Sequence, residues 1–134
     1  MTDKELVHAA IEAMKRAYAP YSDFFVGAAV LTSDGRLFTG CNIENASYGA
    51  TICAERCAVA KAVSEGCRVI SKVAVCGGKL GNITDFFPPC GICRQVISEF
   101  SAENTEILLF NGKVIKAFTE KELFPLEFKG KNIL

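Results

Sequence analysis

Two short stretches carry the residue types for metal chemistry. TICAERC, residues 51–57, sets Glu55 two positions after Cys53 and two before Cys57. PPCGICRQ, residues 88–95, holds Cys90 and Cys93 as a C-x-x-C pair. Spacing alone leaves that pair open among a metal site, a redox dithiol and two buried thiols. Cys53 adds a third thiol at a second expected helix start. First-turn side chains lean toward the N-terminal end of a helix, and that end favours anions. Three thiolates from two helix starts can therefore converge on one ion. Zinc prefers thiolates and brings no redox chemistry. Three protein ligands leave its fourth position to water, as in a catalytic rather than a closed structural site.

Glu55 has a plain reading, an acidic residue offsetting the dipole of a first helical turn. Beside an open zinc site it has a second, taking a proton from water and passing it to a substrate. Cys57 shares a helical face with Cys53 but lies one turn further from the helix start, and is expected to pack in the core. Cys41, Cys67 and Cys76 lie in or near apolar stretches and are expected to pack as well. His8, the sole histidine, is expected at the surface or rim. Three thiolates overcompensate the charge of Zn2+ and make it a poorer Lewis acid. Arg56 comes three residues after Cys53, and Arg94 adjoins Cys93. A guanidinium bonded to a thiolate withdraws charge from it, so both arginines are expected to offset the third thiolate.

The surrounding elements must bring these stretches together. Residues 2–18 read as a helix capped by Thr2 and Glu5 and ended by Ala19-Pro20. FFVGAAVL, 24–31, fits a strand buried on both faces. A turn at 33–35 leads to a second, antiparallel strand over 36–44. The pattern then predicts a helix over 52–65, a strand over 72–76 and an irregular loop over 77–89. It closes with a helix over 90–100, paired strands over 105–110 and 113–118 around Asn111-Gly112, and a short helix capped by Thr119 and Glu122. The expectation is an α/β chain forming one domain over residues 1–134, a three-layer α/β/α fold around a five-stranded mixed sheet.

Composition narrows the function classes. Fifteen basic residues balance fifteen acidic ones, which gives no electrostatic reason to expect a nucleic acid polymer as partner. Half of the residues are hydrophobic and 22% charged, as in a globular chain. No apolar run approaches the roughly 20 residues that span a bilayer. The first ten residues lack a signal-peptide pattern. Seven cysteines, an odd number, then point to metal or core thiols rather than disulfides. The expectation is a cytoplasmic protein with no membrane partner.

C-A-E followed by P-C-x-x-C resembles the H-x-E…P-C-x-x-C signature of the zinc deaminases of nucleobases and nucleosides, with Cys53 where that signature has histidine. In this the chain is similar to the small homotetrameric cytidine deaminases, which use three cysteines. APYSDFFVGAAV, 19–30, looks like that family's first-strand segment, and TGCNIENASYG, 39–49, like its ribose-binding strand and following loop. ELFPLEF, 122–128, is similar to its C-terminal L-L-P-x-x-F, with Phe124 in place of a leucine. The loop 77–89 departs from the pattern, being longer and carrying Phe86 and Phe87.

The resemblance implies one zinc per subunit held by Cys53, Cys90 and Cys93, and hydrolysis of the exocyclic amine of cytidine or 2′-deoxycytidine with Glu55 shuttling protons. Asn42 and Glu44, two apart on a strand, share a face and suit ribose hydroxyls. Phe24 offers a face to the pyrimidine. By resemblance, Ala54 gives its N–H to the pyrimidine carbonyl, Tyr48 and Ala46 lie near a subunit contact, and Phe128 stacks in a neighbouring subunit's site within a homotetramer. Three alternatives stay open: an aminonucleoside antibiotic deaminase, a zinc-stabilised binding module without catalysis, and a C-x-x-C oxidoreductase.

Overall fold

The first helix, α1 (Asp3–Met14), begins with the expected reciprocal cap. The Thr2 hydroxyl accepts from the Glu5 N–H at 3.1 Å, and the Glu5 carboxylate accepts from the Thr2 N–H at 3.0 Å. The structure, a computed structural model, describes residues 1–133. The helix stops at Met14 rather than reaching residue 18, because the chain must turn there to place Tyr18 beside Ile43. Tyr18 donates its N–H to the Asn42 carbonyl and accepts from the Glu44 N–H, at 3.0 and 2.8 Å. That bridge fixes the segment which later supplies Asn42 and Glu44.

Five strands follow the order β2-β1-β3-β4-β5. They are β1 (Phe24–Thr32), β2 (Leu37–Cys41), β3 (Ile70–Lys79), β4 (Ser101–Phe110) and β5 (Ile115–Thr119). β3 and β4 pair in parallel; every other pairing is antiparallel. The sheet is thus mixed, as expected. A parallel pair needs a crossover, and here α3 (Gly91–Glu99) lies between β3 and β4 in the chain. β3 runs to Lys79, three residues past the expected Cys76, since Gly77 and Gly78 pair with Val26 and Phe25 instead of entering the loop. β4 likewise starts four residues early, at Ser101.

The β1 run is buried on both faces and alternates between two cores. Val26, Ala28 and Val30 face the cluster built with α2 (Ala54–Ser64) and Ile97 of α3. Ala29 faces the cluster built with Leu6, Val7, Ala10 and Met14 of α1. Helices on both faces of a mixed sheet give the three-layer arrangement. Two glycines set the spacing. A Cβ on Gly27 would lie 1.9 Å from the Ala10 carbonyl oxygen, and one on Gly40 would lie 2.5 Å from the Ala58 nitrogen and 2.6 Å from the Ala54 carbonyl oxygen. Both helices therefore rest directly on strand backbone. The start of α2, which carries Cys53, is positioned by that contact. A short last helix, α4 (Glu120–Leu123), is capped reciprocally by Thr119 and Glu122.

Candidate active site

Cys53 is the N-cap of α2 and Cys90 the N-cap of α3; both have extended backbone. Neither side chain closes a capping hydrogen bond on its own helix, so both sulfurs are directed elsewhere. Cys93 follows one turn into α3 and is fully buried. The three sulfurs lie within 4.8 Å of one another, with Cys53 and Cys90 at 3.7 Å. Thiolates at tetrahedral corners about 2.3 Å from zinc stand roughly 3.8 Å apart, so the Cys53–Cys90 separation matches zinc and the cluster as a whole is close to it. Among the described residues no fourth Cys, His, Asp or Glu joins it.

The electrostatics agree with that fit. Cys53 is pulled down to about 5, first by a hydrogen bond with Cys93, then by Arg56 and Cys90. Cys93 is driven upward by the same bond with Cys53, by burial and by Glu55. One negative charge at Cys53 thus opposes a second at Cys93. A divalent cation among the sulfurs removes this repulsion, and a thiolate-preferring ion is the chemistry the donor set selects. Arg56 supports the first charge: Nη2 lies 3.6 Å from Cys53 Sγ and donates to the Thr51 carbonyl at 3.2 Å. Arg94, expected beside it, turns away. Its Nε donates to the Pro89 carbonyl at 2.7 Å and its Nη1 to the Leu123 carbonyl at 2.5 Å. It ties the cysteine turn to the C-terminal segment, a bracing role that its place after Cys93 gave no sign of.

Glu55 lies in the first turn of α2 and is only 3% exposed. A first-turn carboxylate that merely offset the helix dipole would face water. Burial pushes its carboxyl up to about 7, and the charge on Cys53 adds to this. A buried carboxyl that exchanges a proton near neutrality beside a thiol cluster is suited to general acid–base work.

The remaining cysteines pack as expected or make other contacts. Cys76 is fully buried and pushed up to about 12 by burial. Cys67 is buried with Arg36 Nη2 at 2.7 Å from its sulfur. Cys41 and Cys57 are half-buried and outside the cluster. His8 is exposed and lies near Glu12.

Asn42 and Glu44 are both buried while Ile43 between them is exposed, so they share a side. They do so beyond the strand, since β2 ends at Cys41 and Ile43 forms only single bridges with Tyr18 and Ile52. The Asn42 amide accepts from the Val26 N–H at 2.9 Å and donates to the Phe24 carbonyl at 2.8 Å. Glu44 accepts from the N–H groups of Tyr21 and Ser22 and from the Ser22 hydroxyl. Against the pull of burial, these bonds hold its carboxyl below the usual range. Ser22 is absent from the expected site and appears in the sequence only within the segment 19–30 that resembles the family's first strand.

Phe24 is exposed and meets Phe87 at 6.2 Å between ring centroids, so the long loop contributes a wall beside it. Tyr48 is exposed and packs edge-on against Tyr21 at 6.1 Å. Ala54 is fully buried as the first residue of α2, next to Cys53. Phe128 is exposed, and its carbonyl accepts from Gln95 Nε2 of α3 at 3.0 Å.

Two helix starts that converge on three thiols, with a buried acid in the first turn, define a zinc-binding deaminase. The family model for the cytidine and deoxycytidylate deaminase zinc-binding region matches residues 1–109. The chain belongs to the cytidine deaminase family. It is 44% identical over 134 residues to the cytidine deaminase of Halalkalibacterium halodurans, covering 99% of this chain and 98% of that protein. The crystal structure of cytidine deaminase from Burkholderia pseudomallei superposes with a TM-score of 0.87 at 42% identity, covering 96% of this chain and all of that one. A more distant relative, blasticidin-S deaminase of Bacillus cereus, is 32% identical over 130 residues, or 94% of this chain and 91% of that protein. Among the described residues, no helix is long and apolar enough to cross a membrane.

Proposed function

We propose that the chain, acting as one domain over residues 1–134, hydrolyses cytidine and 2′-deoxycytidine to uridine and 2′-deoxyuridine with release of ammonia, as a cytoplasmic enzyme of pyrimidine salvage. The observation that carries this reading is the buried Glu55 in the first turn of the helix that Cys53 caps, with Cys53 part of a three-thiol cluster. Cys53, Cys90 and Cys93 would hold one zinc per subunit, which when bound would make a water acidic enough to lose a proton near neutral pH. Glu55 takes that proton and gives it to ring N3, which makes C4 electrophilic. The attacking oxygen adds at C4. Glu55 then carries the second proton to the exocyclic nitrogen, and ammonia leaves. Arg56 offsets the charge of the third thiolate. Arg94, also assigned to that task from the sequence, acts on the cluster only through the Pro89 carbonyl that precedes Cys90.

The chain's own groups hold the substrate. Asn42 and Glu44 face the ribose hydroxyls with the hydrogen-bonding capacity left over from their bonds to the β1 segment. The Ala54 N–H meets the pyrimidine carbonyl, and Phe24 meets its ring. Tyr48 lies at a subunit contact, and Phe128 reaches the site of a neighbouring subunit in a homotetramer. The exposure of both aromatic rings supports this arrangement.

Glu55→Gln tests the chemistry. It is expected to keep stoichiometric zinc and the fold while turnover, followed by the ultraviolet change on cytidine, falls at least about a hundredfold. Substantial remaining turnover would remove Glu55 from the mechanism. A second reading, deamination of an aminonucleoside antibiotic, is favoured only by the blasticidin-S deaminase relative. Side-by-side kcat/KM values for blasticidin S and cytidine separate the two.

A further inference from the structure

The C-terminal turn contains a pair of buried acids that no step above uses. Glu120 opens α4 and is only 4% exposed. Its Oε2 is buried and has no hydrogen-bond partner among the described residues. Glu127, beyond the turn, is also buried at both carboxylate oxygens and forms an ion pair with Lys129. The two carboxyl groups lie close enough to bias one another's protonation. Lys129 reaches Glu127, yet two ionised carboxylates this close repel, and Glu120 Oε2 still lacks a hydrogen; one proton between them cures both faults.

We propose that Glu120 and Glu127 share a single proton, and that this acid–carboxylate hydrogen bond positions the C-terminal turn that presents Phe128. The rest of the turn shows what the bond holds. Leu126 has φ 53° and is fully exposed, so its strained backbone is not balanced by burial of its side chain. On the other side, α3 grips the segment through Arg94 at the Leu123 carbonyl and Gln95 at the Phe128 carbonyl. The turn is fastened at both flanks, and the acid pair closes it across Leu126.

The charges facing the pair are Lys121 of α4, Lys129 of the tail and Glu103 of β4, which pairs with Lys121. Arg94 of α3 is committed to carbonyl groups. Burial and Glu127 push Glu120 up to about 7, while the bond from Glu120 holds Glu127 below the usual range. The folded pair therefore binds a proton that unfolded glutamates release above about pH 4.5. Its contribution is complete at acid pH and is lost as pH rises through about 7.

Hydrogen–deuterium exchange of the zinc-loaded enzyme tests this, with rates corrected for intrinsic exchange at each pH. Protection of the peptide covering 120–131 is expected to fall about tenfold between about pH 5.5 and about pH 8.5 in the natural chain. Glu127→Gln replaces the shared proton with an amide donor and should keep protection at both ends of the range. Glu120→Gln does the same from the other side and serves if the first variant misfolds. Flat protection in the natural chain, or an unchanged pH dependence in both variants, overturns the proposal. The effect on catalysis rests on the reading of Phe128 given above. If that reading holds, KM for cytidine rises with pH alongside the loss of protection and kcat does not follow. If protection is lost and KM stays constant, the acid pair stands and only the role of Phe128 fails.

Discussion

Glu55 and Arg56 are neighbours with opposite relations to the thiols. Glu55 is buried by the fold and held near its protonated form, whereas Arg56 places its charge against Cys53. Arg56→Ala should weaken zinc retention or turnover about ten- to a hundredfold, read by competition with a chelator. Arg56→Lys keeps the charge without the planar fork and should fall between the two. Wild-type zinc affinity and turnover in Arg56→Ala would assign the charge compensation elsewhere. The residue types of the cluster were legible in the sequence because first-turn geometry is local. The fate of Arg94 was not, since its partner Leu123 lies 29 residues away and is brought near by tertiary contact alone. Glu120 and Glu127 gave no signal either. Thr119 and Glu122 account for the visible cap, and nothing local marks Glu120 as buried.

At the level of elements, the approach of β2 to α2 decides where Cys53 sits. Gly40→Ala would press a methyl group against two backbone atoms of α2. The expected cost is about 1–3 kcal/mol of stability, seen as a lower thermal midpoint, together with weaker zinc binding. Gly35→Ala is the contrast. It has positive φ but nothing within 4 Å, so it should lose roughly 1 kcal/mol to backbone strain and leave zinc binding intact. Equal zinc affinity in both variants would detach the metal cluster from the β2–α2 contact. Helix caps, the apolar β1 run and the Asn111-Gly112 hairpin were readable because their causes are local. Strand lengths were less so. Gly77 and Gly78 look like loop punctuation, yet they pair with β1 because its neighbouring strand continues there. The strand order depends on contacts between distant segments, and the sequence left it open.

For the whole molecule, the proposed homotetramer is what assigns a partner surface to the exposed rings of Tyr48 and Phe128. Sedimentation of the zinc-loaded protein should give a tetramer, and a monomer with full activity would remove the intersubunit role of Phe128. The parallel pairing of β3 with β4 has a consequence for how the molecule assembles. Cys90 and Cys93 are three residues apart in the chain, but Cys53 is 37 residues from Cys90 and is expected to join them only when the middle of the sheet has closed. Zinc offered to a refolding chain should therefore be held loosely at first and become resistant to a chelator in a later kinetic phase, in step with the appearance of native far-ultraviolet signal. The ion then acts as a seal on a finished architecture rather than as the seed around which it grows.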